Sequence, residues 1–263
     1  MTDIDEAVDW LGAAVSCDVC GHLALRDAGR CRLKHACVVD RYARRIDRFF
    51  NWNPDLANGY LRHPHFEVRA IAAKHADVFL LPPLLDDAEE TVRWNAVRRL
   101  PKRYVLRLRD DPHREVRIRV ATLLADAELI PMMADPDYYV RLVVARRVQA
   151  PLLVRMMTDK EPEVRRVVAC RIPADWILRM AADGDATVRL EVAKRLPPDL
   201  LPRLGRDPDW RVRFEVAGRA PLSQVAPLDK DEDILVREMA LSRLSAPGDD
   251  AHPGDNAHKE VAP

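Results

Sequence analysis

Four of the five cysteines of this 263-residue chain, Cys17, Cys20, Cys31 and Cys37, stand close together near its start. Thiolates are strong ligands for soft metals, and a Cys-x-x-Cys pair lets two of them reach one ion or one face of a cluster. Cys31 follows Cys20 after ten residues and Cys37 after five more, a wider second pair than a zinc-ribbon knuckle offers. Four thiolates complete either a zinc site with all-cysteine ligation or a cubane iron-sulfur cluster, and the spacing leaves both open, with free thiols as the third reading. Disulfides fit worst, because the cysteine count is odd and a reducing compartment keeps thiols free. His22 and His35 are spare ligands by position, but an imidazole beside such a site more often supports a ligand or faces solvent, so neither joins the set. Arg26, Arg30, Arg32 and Lys34 lie between the cysteines, either to offset the negative charge of a thiolate site or as ordinary solvated side chains.

No other residue pattern suggests catalysis. A nucleophile elbow, a phosphate loop, HExxH and a radical-SAM CxxxCxxC are all missing from the sequence, which predicts that the chain is not an enzyme. The fifth cysteine, Cys170, falls in a column otherwise held mainly by polar residues and is expected to be a partly exposed free thiol.

What must position the cysteines is set by a repeat. A Val-Arg pair returns every 24 residues at Val68-Arg69, Val92-Arg93, Val116-Arg117, Val140-Arg141, Val164-Arg165, Val188-Arg189, Val212-Arg213 and Val236-Arg237. A fixed period of this size means that each unit cannot bury its apolar face alone and stacks on its neighbours, which predicts an all-α solenoid. Five residues before each Val stands Asp87, Asp111, Asp135, Asp159, Asp183, Asp207 or Asp231, with His63 in the first repeat. This column is read as the helix N-cap, followed by proline at the first helical position (Pro64, Pro112, Pro136, Pro208) and by acidic residues in the first turn, such as Glu89, Asp137 and Asp185.

Counting from the Val as zero, apolar residues at zero, four, five and eight trace one face of a three-turn helix, as in Val188, Val192, Ala193 and Leu196. Proline then closes the helix at Pro101, Pro173, Pro197 and Pro221. The remaining ten or so residues carry apolar pairs three apart, among them Leu129 with Met132, Leu153 with Met156 and Ile177 with Met180. That spacing suits a short 3-10 helix, with the methionines as adaptable packing. Each unit is too short for the paired helices of a HEAT or armadillo repeat, and it lacks the strand and Asn column of ordinary leucine-rich repeats.

The recurring Asp-Pro, Val-Arg, small apolar pair and Arg-Leu-Pro resembles the leucine-rich repeat variant (LRV) family known from nitrogen-fixing bacteria. With the cysteine segment included, the resemblance spans roughly residues 10–245. It implies a right-handed superhelical solenoid of eight repeats, alternating α and 3-10 helices, preceded by a small N-terminal domain whose Cys17, Cys20, Cys31 and Cys37 bind a [4Fe-4S] cluster rather than zinc. It implies no settled activity. The expected division is a cluster domain and solenoid cap over 1–60, repeats over 61–245 and a disordered tail over 246–263. Tyr42, Phe49, Phe50, Trp52 and Tyr60 are expected to seal the open end of the core, since an uncapped repeat exposes its apolar face.

Lysine plus arginine equals aspartate plus glutamate at 42 each, so no net field draws the chain to nucleic acid or membrane. The start MTDIDEAVDW lacks the character of a signal peptide and no apolar run is long enough to span a bilayer, so a cytoplasmic location without membrane partners is expected. The Arg column from Arg69 to Arg237 reads as a ladder of Arg-carboxylate contacts between adjacent repeats, helped by the Asp column six residues before, in preference to a phosphate track. Basic residues at positions six and seven, such as Arg98 with Arg99 and Arg146 with Arg147, sit where a helix C-terminus favours them. The functional expectation is an interaction protein with an unidentified protein partner and a redox, sensing or structural cluster. An electron-transfer protein docking through its solenoid and an iron-sulfur nucleic-acid-binding protein are the alternatives.

Overall fold

The computed structural model describes residues 6–246, so the tail expected over 246–263 lies outside the described residues apart from Ala246. The chain divides into two compact units, Met1–Val148 and Gln149–Pro263. The first holds α1 (Leu23–Asp27), α2 (Ala43–Trp52), α3 (Phe66–Ala72), α4 (Glu90–Val97), α5 (Lys102–Val105), α6 (Arg114–Leu123), α7 (Asp126–Leu129) and α8 (Tyr138–Arg147). The second holds α9 (Pro162–Arg171), α10 (Ala174–Ile177), α11 (Ala186–Arg195), α12 (Trp210–Arg219), α13 (Leu222–Val225) and α14 (Ile234–Ser245). Short 3-10 helices fill the stretches between, and β-structure among the described residues is limited to the isolated bridges Val8–Ala14 and Arg32–Ala36. The fold is thus an all-α helix repeat of solenoid type.

The core is the one the periodicity predicts. In α11, Val188, Val192 and Ala193 are fully buried, as is Leu196 just beyond it, and Met132, Met156 and Met180 lie in the interior. The second segment of each unit is more varied than a single 3-10 helix. Residues Ala150–Met156 and Pro198–Leu204 are wholly 3-10, whereas α5, α7, α10 and α13 are single α-turns that run into one. Both geometries place residues three apart on the same side, so the apolar pairs tolerate either.

The Asp column proves not to be the N-cap. Helices begin two residues later than expected, so the residue read as acidic first turn is the true cap. Asp137, Asp185, Asp209 and Asp233 accept hydrogen bonds from the N–H groups of Tyr139, Thr187, Arg211 and Leu235 at 2.8–2.9 Å. The earlier Asp instead closes a tight turn: Asp111 accepts from the His113 N–H at 2.8 Å and Asp207 from the Asp209 N–H at 2.9 Å. Pro112, Pro136 and Pro208 therefore lie in that turn, before the helix, and among the described residues Pro162 is the one proline that begins an α-helix. In the first repeat His63 takes over the turn, its Nδ1 accepting from the His65 N–H at 3.1 Å.

The same Asp carboxylates also receive arginines, and here the expected pairing changes partner. Arginines of the column span to the Asp 18 residues later, in the next repeat: Arg69 to Asp87, Arg93 to Asp111 and Arg117 to Asp135 in the first unit, all at 2.7–3.0 Å with two nitrogens on two oxygens. Arg165–Asp183, Arg189–Asp207 and Arg213–Asp231 repeat the geometry in the second. The Asp six residues earlier contributes only its backbone carbonyl, as in Arg93 to Asp87 at 2.8 Å. Bidentate guanidinium pairs of this kind are directional, so they set the register of one repeat on the next.

A second set of arginines points the opposite way. Arg195 donates to the Ala169 and Ile172 carbonyls at 2.6 and 2.8 Å, and Arg219 to those of Ala193 and Leu196 at 2.7 and 2.9 Å. These carbonyls are orphan acceptors at the C-terminus of the preceding helix, so each Arg caps its neighbour's helix.

Candidate metal centre

The cysteines are held almost entirely by turns. The Cys20 N–H donates to the Cys17 carbonyl at 3.2 Å, which closes the Cys-x-x-Cys turn ahead of α1. After α1 the chain reverses at Gly29, whose φ of 71° lies in the left-handed region that glycine adopts without strain. Cys31 and Cys37 then flank a small loop pinned by the Arg32–Ala36 bridge, with Lys34 at a φ of 60° at its tip.

Buried polar groups tie this loop to α2. The Cys37 N–H donates to the Arg45 carbonyl at 3.1 Å, and the Arg45 guanidinium binds Asp40 at 2.7 Å and the Glu6 carbonyl at 2.9 Å. Asn53, fully buried beyond the end of α2, donates through Nδ2 to the carbonyls of Arg30 and Phe49, both at 2.8 Å. An unpaired buried pair member or amide is destabilising, so these contacts fix where Cys31 and Cys37 must lie. Neither the Arg45–Asp40 pair nor Asn53 stood out in the sequence, because nothing local distinguishes them from surface residues.

All four cysteines line one cavity, together with Val15, Ser16, His22, Leu23 and Arg26. Cys31 and Cys37 are buried, while Cys17 and Cys20 are half-buried on the outer side. Burial pushes the Cys31 thiol up to about 11, reinforced by the charges of Cys37, Cys20 and Cys17, and burial raises Cys37 as well. Such thiols stay protonated at neutral pH unless a cation is brought to them. Among the described residues no three His, Cys, Asp or Glu side chains converge as one metal ion would require.

The flanking histidines are engaged elsewhere. His22 borders the cavity, is lowered by burial, and shares a hydrogen bond through Nε2 with the Tyr60 hydroxyl. His35 meets Arg48 at 3.2 Å through Nδ1. Of the basic residues between the cysteines, Arg26 lines the cavity and binds Asp27 at 3.1 Å, whereas Arg30 is drawn to Asp55 at 3.2 Å.

Phe49 and Phe50 are fully buried, and Tyr60 packs against Phe50 with ring centroids 5.3 Å apart. Trp52 departs from the expected seal: at the last position of α2 it is exposed, and among the described residues its one aromatic ring contact is His35, at 5.5 Å. Cys170 is an exposed free thiol, as expected from its column.

The geometry therefore defines a class: a helix-repeat protein that carries a four-cysteine cavity beside its first repeat. Residues 7–59 match the family described as "LRV protein FeS4 cluster", and residues 186–209 match "Leucine rich repeat variant". A solved structure described as "A leucine-rich repeat variant with a novel repetitive protein structural motif" is 41% identical, with a TM-score of 0.83, over 88% of this chain and 99% of that one. The chain belongs to the leucine-rich repeat variant family. It is also 48% identical over 101 residues to an "Uncharacterized 27.7 kDa protein in nifB 3'region" of Rhodobacter capsulatus, a match covering 38% of this chain and 41% of that relative. Among the described residues no helix is long and apolar enough to cross a membrane.

Proposed function

We propose that Cys17, Cys20, Cys31 and Cys37 hold a [4Fe-4S] cluster, and that the chain is an interaction protein whose repeats offer a surface to another macromolecule. The observation that carries this reading is the single cavity bordered by all four thiols and by no carboxylate. A zinc ion would need four sulfurs each about 2.3 Å from one point. A cubane takes one cysteine sulfur at each of its four irons, so four thiols bordering one cavity match it in number. The match to a family described by its FeS4 cluster supports the same choice. A bound cluster supplies one-electron chemistry or a redox-dependent structural tie.

The chain's own residues do the rest. Val15 and Leu23 keep water from the inner wall, and Arg26 places a positive charge beside the thiolates. The His22–Tyr60 hydrogen bond connects the cavity to the aromatic seal of the first repeat. Electron exchange with a docked partner is a second reading, favoured by the outward position of Cys17 and Cys20 beside Val19, which is 88% exposed.

An EPR-monitored redox titration of anaerobically purified protein, with iron and sulfide analysis, tests the proposal. About four irons per chain and a reversible signal are expected, and Cys20→Ala should lose both. Zinc in place of iron, or full cluster occupancy in Cys20→Ala, would refute the assignment.

A further inference from the structure

Away from the cysteines, the first unit carries two clefts on one face that share Lys74. A cleft of about 440 Å3 between α2 and α3 is lined by Ala43, Arg44, Asp47, Arg48, Ile71 and Lys74. Its neighbour between α3 and α4, about 320 Å3, is lined by Lys74, Asn95, Arg98 and Arg99. Asp47 is the only carboxylate among these lining residues, and it is already bound by Lys74 at 3.0 Å and by the Asn51 amide at 3.1 Å. Arg99 is committed to the carbonyls of Ala73 and Ala76. Arg44 and Arg98 are exposed and meet no carboxylate among the described residues.

The row continues past the clefts. Arg98 and Arg119 lie on the Trp94 ring at 6.0 and 5.4 Å, which brings α6 into line, and the exposed Arg146 of α8 occupies the column of Lys74 and Arg98. The column of Lys74, Arg98, Thr122 and Arg146 holds Cys170, Lys194, Gly218 and Ser242 in the second unit, and that of Arg119 holds Val167, Glu191, Glu215 and Met239 there, with Lys194 spent on Glu191 at 3.5 Å. Each column holds different residue types in different repeats, so the first-unit cations are not a fixed part of the repeat pattern. In a chain of zero net charge they amount to a segregated basic face.

We propose that Arg44, Lys74, Arg98, Arg119 and Arg146 form a binding site for the phosphodiester backbone of a nucleic-acid strand running across α2, α3, α4, α6 and α8. Packed helices stand about 8–10 Å apart, so cations on successive helices extend well beyond the reach of one oxyanion and match a chain with phosphates along its length. Guanidinium forks suit phosphate oxygens, and Ala43 and Ile71 are the two apolar side chains among the residues lining the clefts. This site is separate from the Arg69–Arg213 ladder, whose guanidiniums are bound to aspartates, and it does not depend on the cluster assignment.

The test is binding of a labelled single-stranded oligonucleotide of about 20 residues to the full chain, between about 50 and 200 mM salt. The wild-type chain should bind with a salt-dependent constant. The variant Arg44→Ala/Arg98→Ala/Arg146→Ala should bind at least about tenfold more weakly at the low-salt end, with its log–log salt slope reduced by about 2. The exposed set Arg155→Ala/Arg203→Ala/Arg206→Ala removes the same charge from the second unit and should bind like wild type. Among the described residues none of these six arginines is ion-paired, so both variants should keep the parent melting temperature. Absence of wild-type binding or equal weakening by the two variants would overturn the site. Tighter binding of poly-glutamate than of the oligonucleotide would reassign the face to an acidic protein.

Discussion

Helix α1, between Cys20 and Cys31, has five residues and buries none of them; α4, in the second repeat, has eight and buries four. The two regions face the same problem, since neither a short turn nor a lone helix of this length is stable by itself. The repeats solve it by contact with copies of themselves, through a shared apolar column and two opposed sets of arginines. The cysteine segment has no copy to lean on. Its interior consists of Cys31, Ala36, Cys37 and Val38, too little apolar surface to order the loops around it. The difference teaches that repetition holds one region, while the other is left to a few polar ties and, on the proposed reading, to what its thiols bind.

The widest separation of the two regions should come from removing the proposed cluster. Chelation under reducing conditions should strip hydrogen-exchange protection from the amides of Cys20 and Cys37 while α4 to α14 keep theirs. Undiminished protection in the apo segment would mean that its polar ties suffice and that the contrast is false.

Within the repeats, Asp111→Ala strands the buried guanidinium of Arg93. Breaking a buried pair in this way should destabilise by about 3–5 kcal/mol in urea unfolding. A change below about 1 kcal/mol would reduce the ladder to decoration. Arg195→Ala removes two charge-assisted hydrogen bonds to carbonyls at a neighbouring helix end and should lower stability by about 2 kcal/mol, without altering the cysteine site.

Acid should act on the repeats in a defined direction. The hydrogen bond from Arg213 holds Asp231 below the usual carboxylate range, and the one from Arg211 takes Asp209 down to about 2. The unfolded chain then binds more protons than the folded one below about pH 4, so the contribution of these groups is complete above that value and is lost as pH falls toward 2. Melting temperature followed across this window should rise with pH. A flat profile would show that the aspartates are indifferent to their partners.

Much of the repeat was legible because its signals are local and recur. Val188, Val192, Ala193 and Leu196 announce a buried face by spacing alone, and the methionine column announces its packing. The Asp column was legible as important but not in its role. Asp207 has the residue type of an N-cap at a reasonable offset, yet its carboxylate is claimed by Arg189 and by the turn at Asp209, so capping passes to Asp209, two places on. Arg195 was visible as a basic residue near a helix end, but the carbonyls it caps belong to the preceding repeat. At the cysteine site, the four thiols were conspicuous by type. Arg45, Asp40 and Asn53, which hold the loop against α2, were not, since their significance lies in burial and burial is not written in their spacing.

Sequence alone determined the period, the apolar columns, the neutral overall charge and the set of thiols available to a metal, all of which depend on residue type and short-range spacing. Tertiary structure decided which arginine meets which aspartate across 18 residues, that the thiols border one cavity, and that Lys74 is shared by two clefts whose other cations include the exposed Arg44 and Arg98. These are matters of distance between chain segments, and a one-dimensional pattern fixes such distances only after the repeats have stacked.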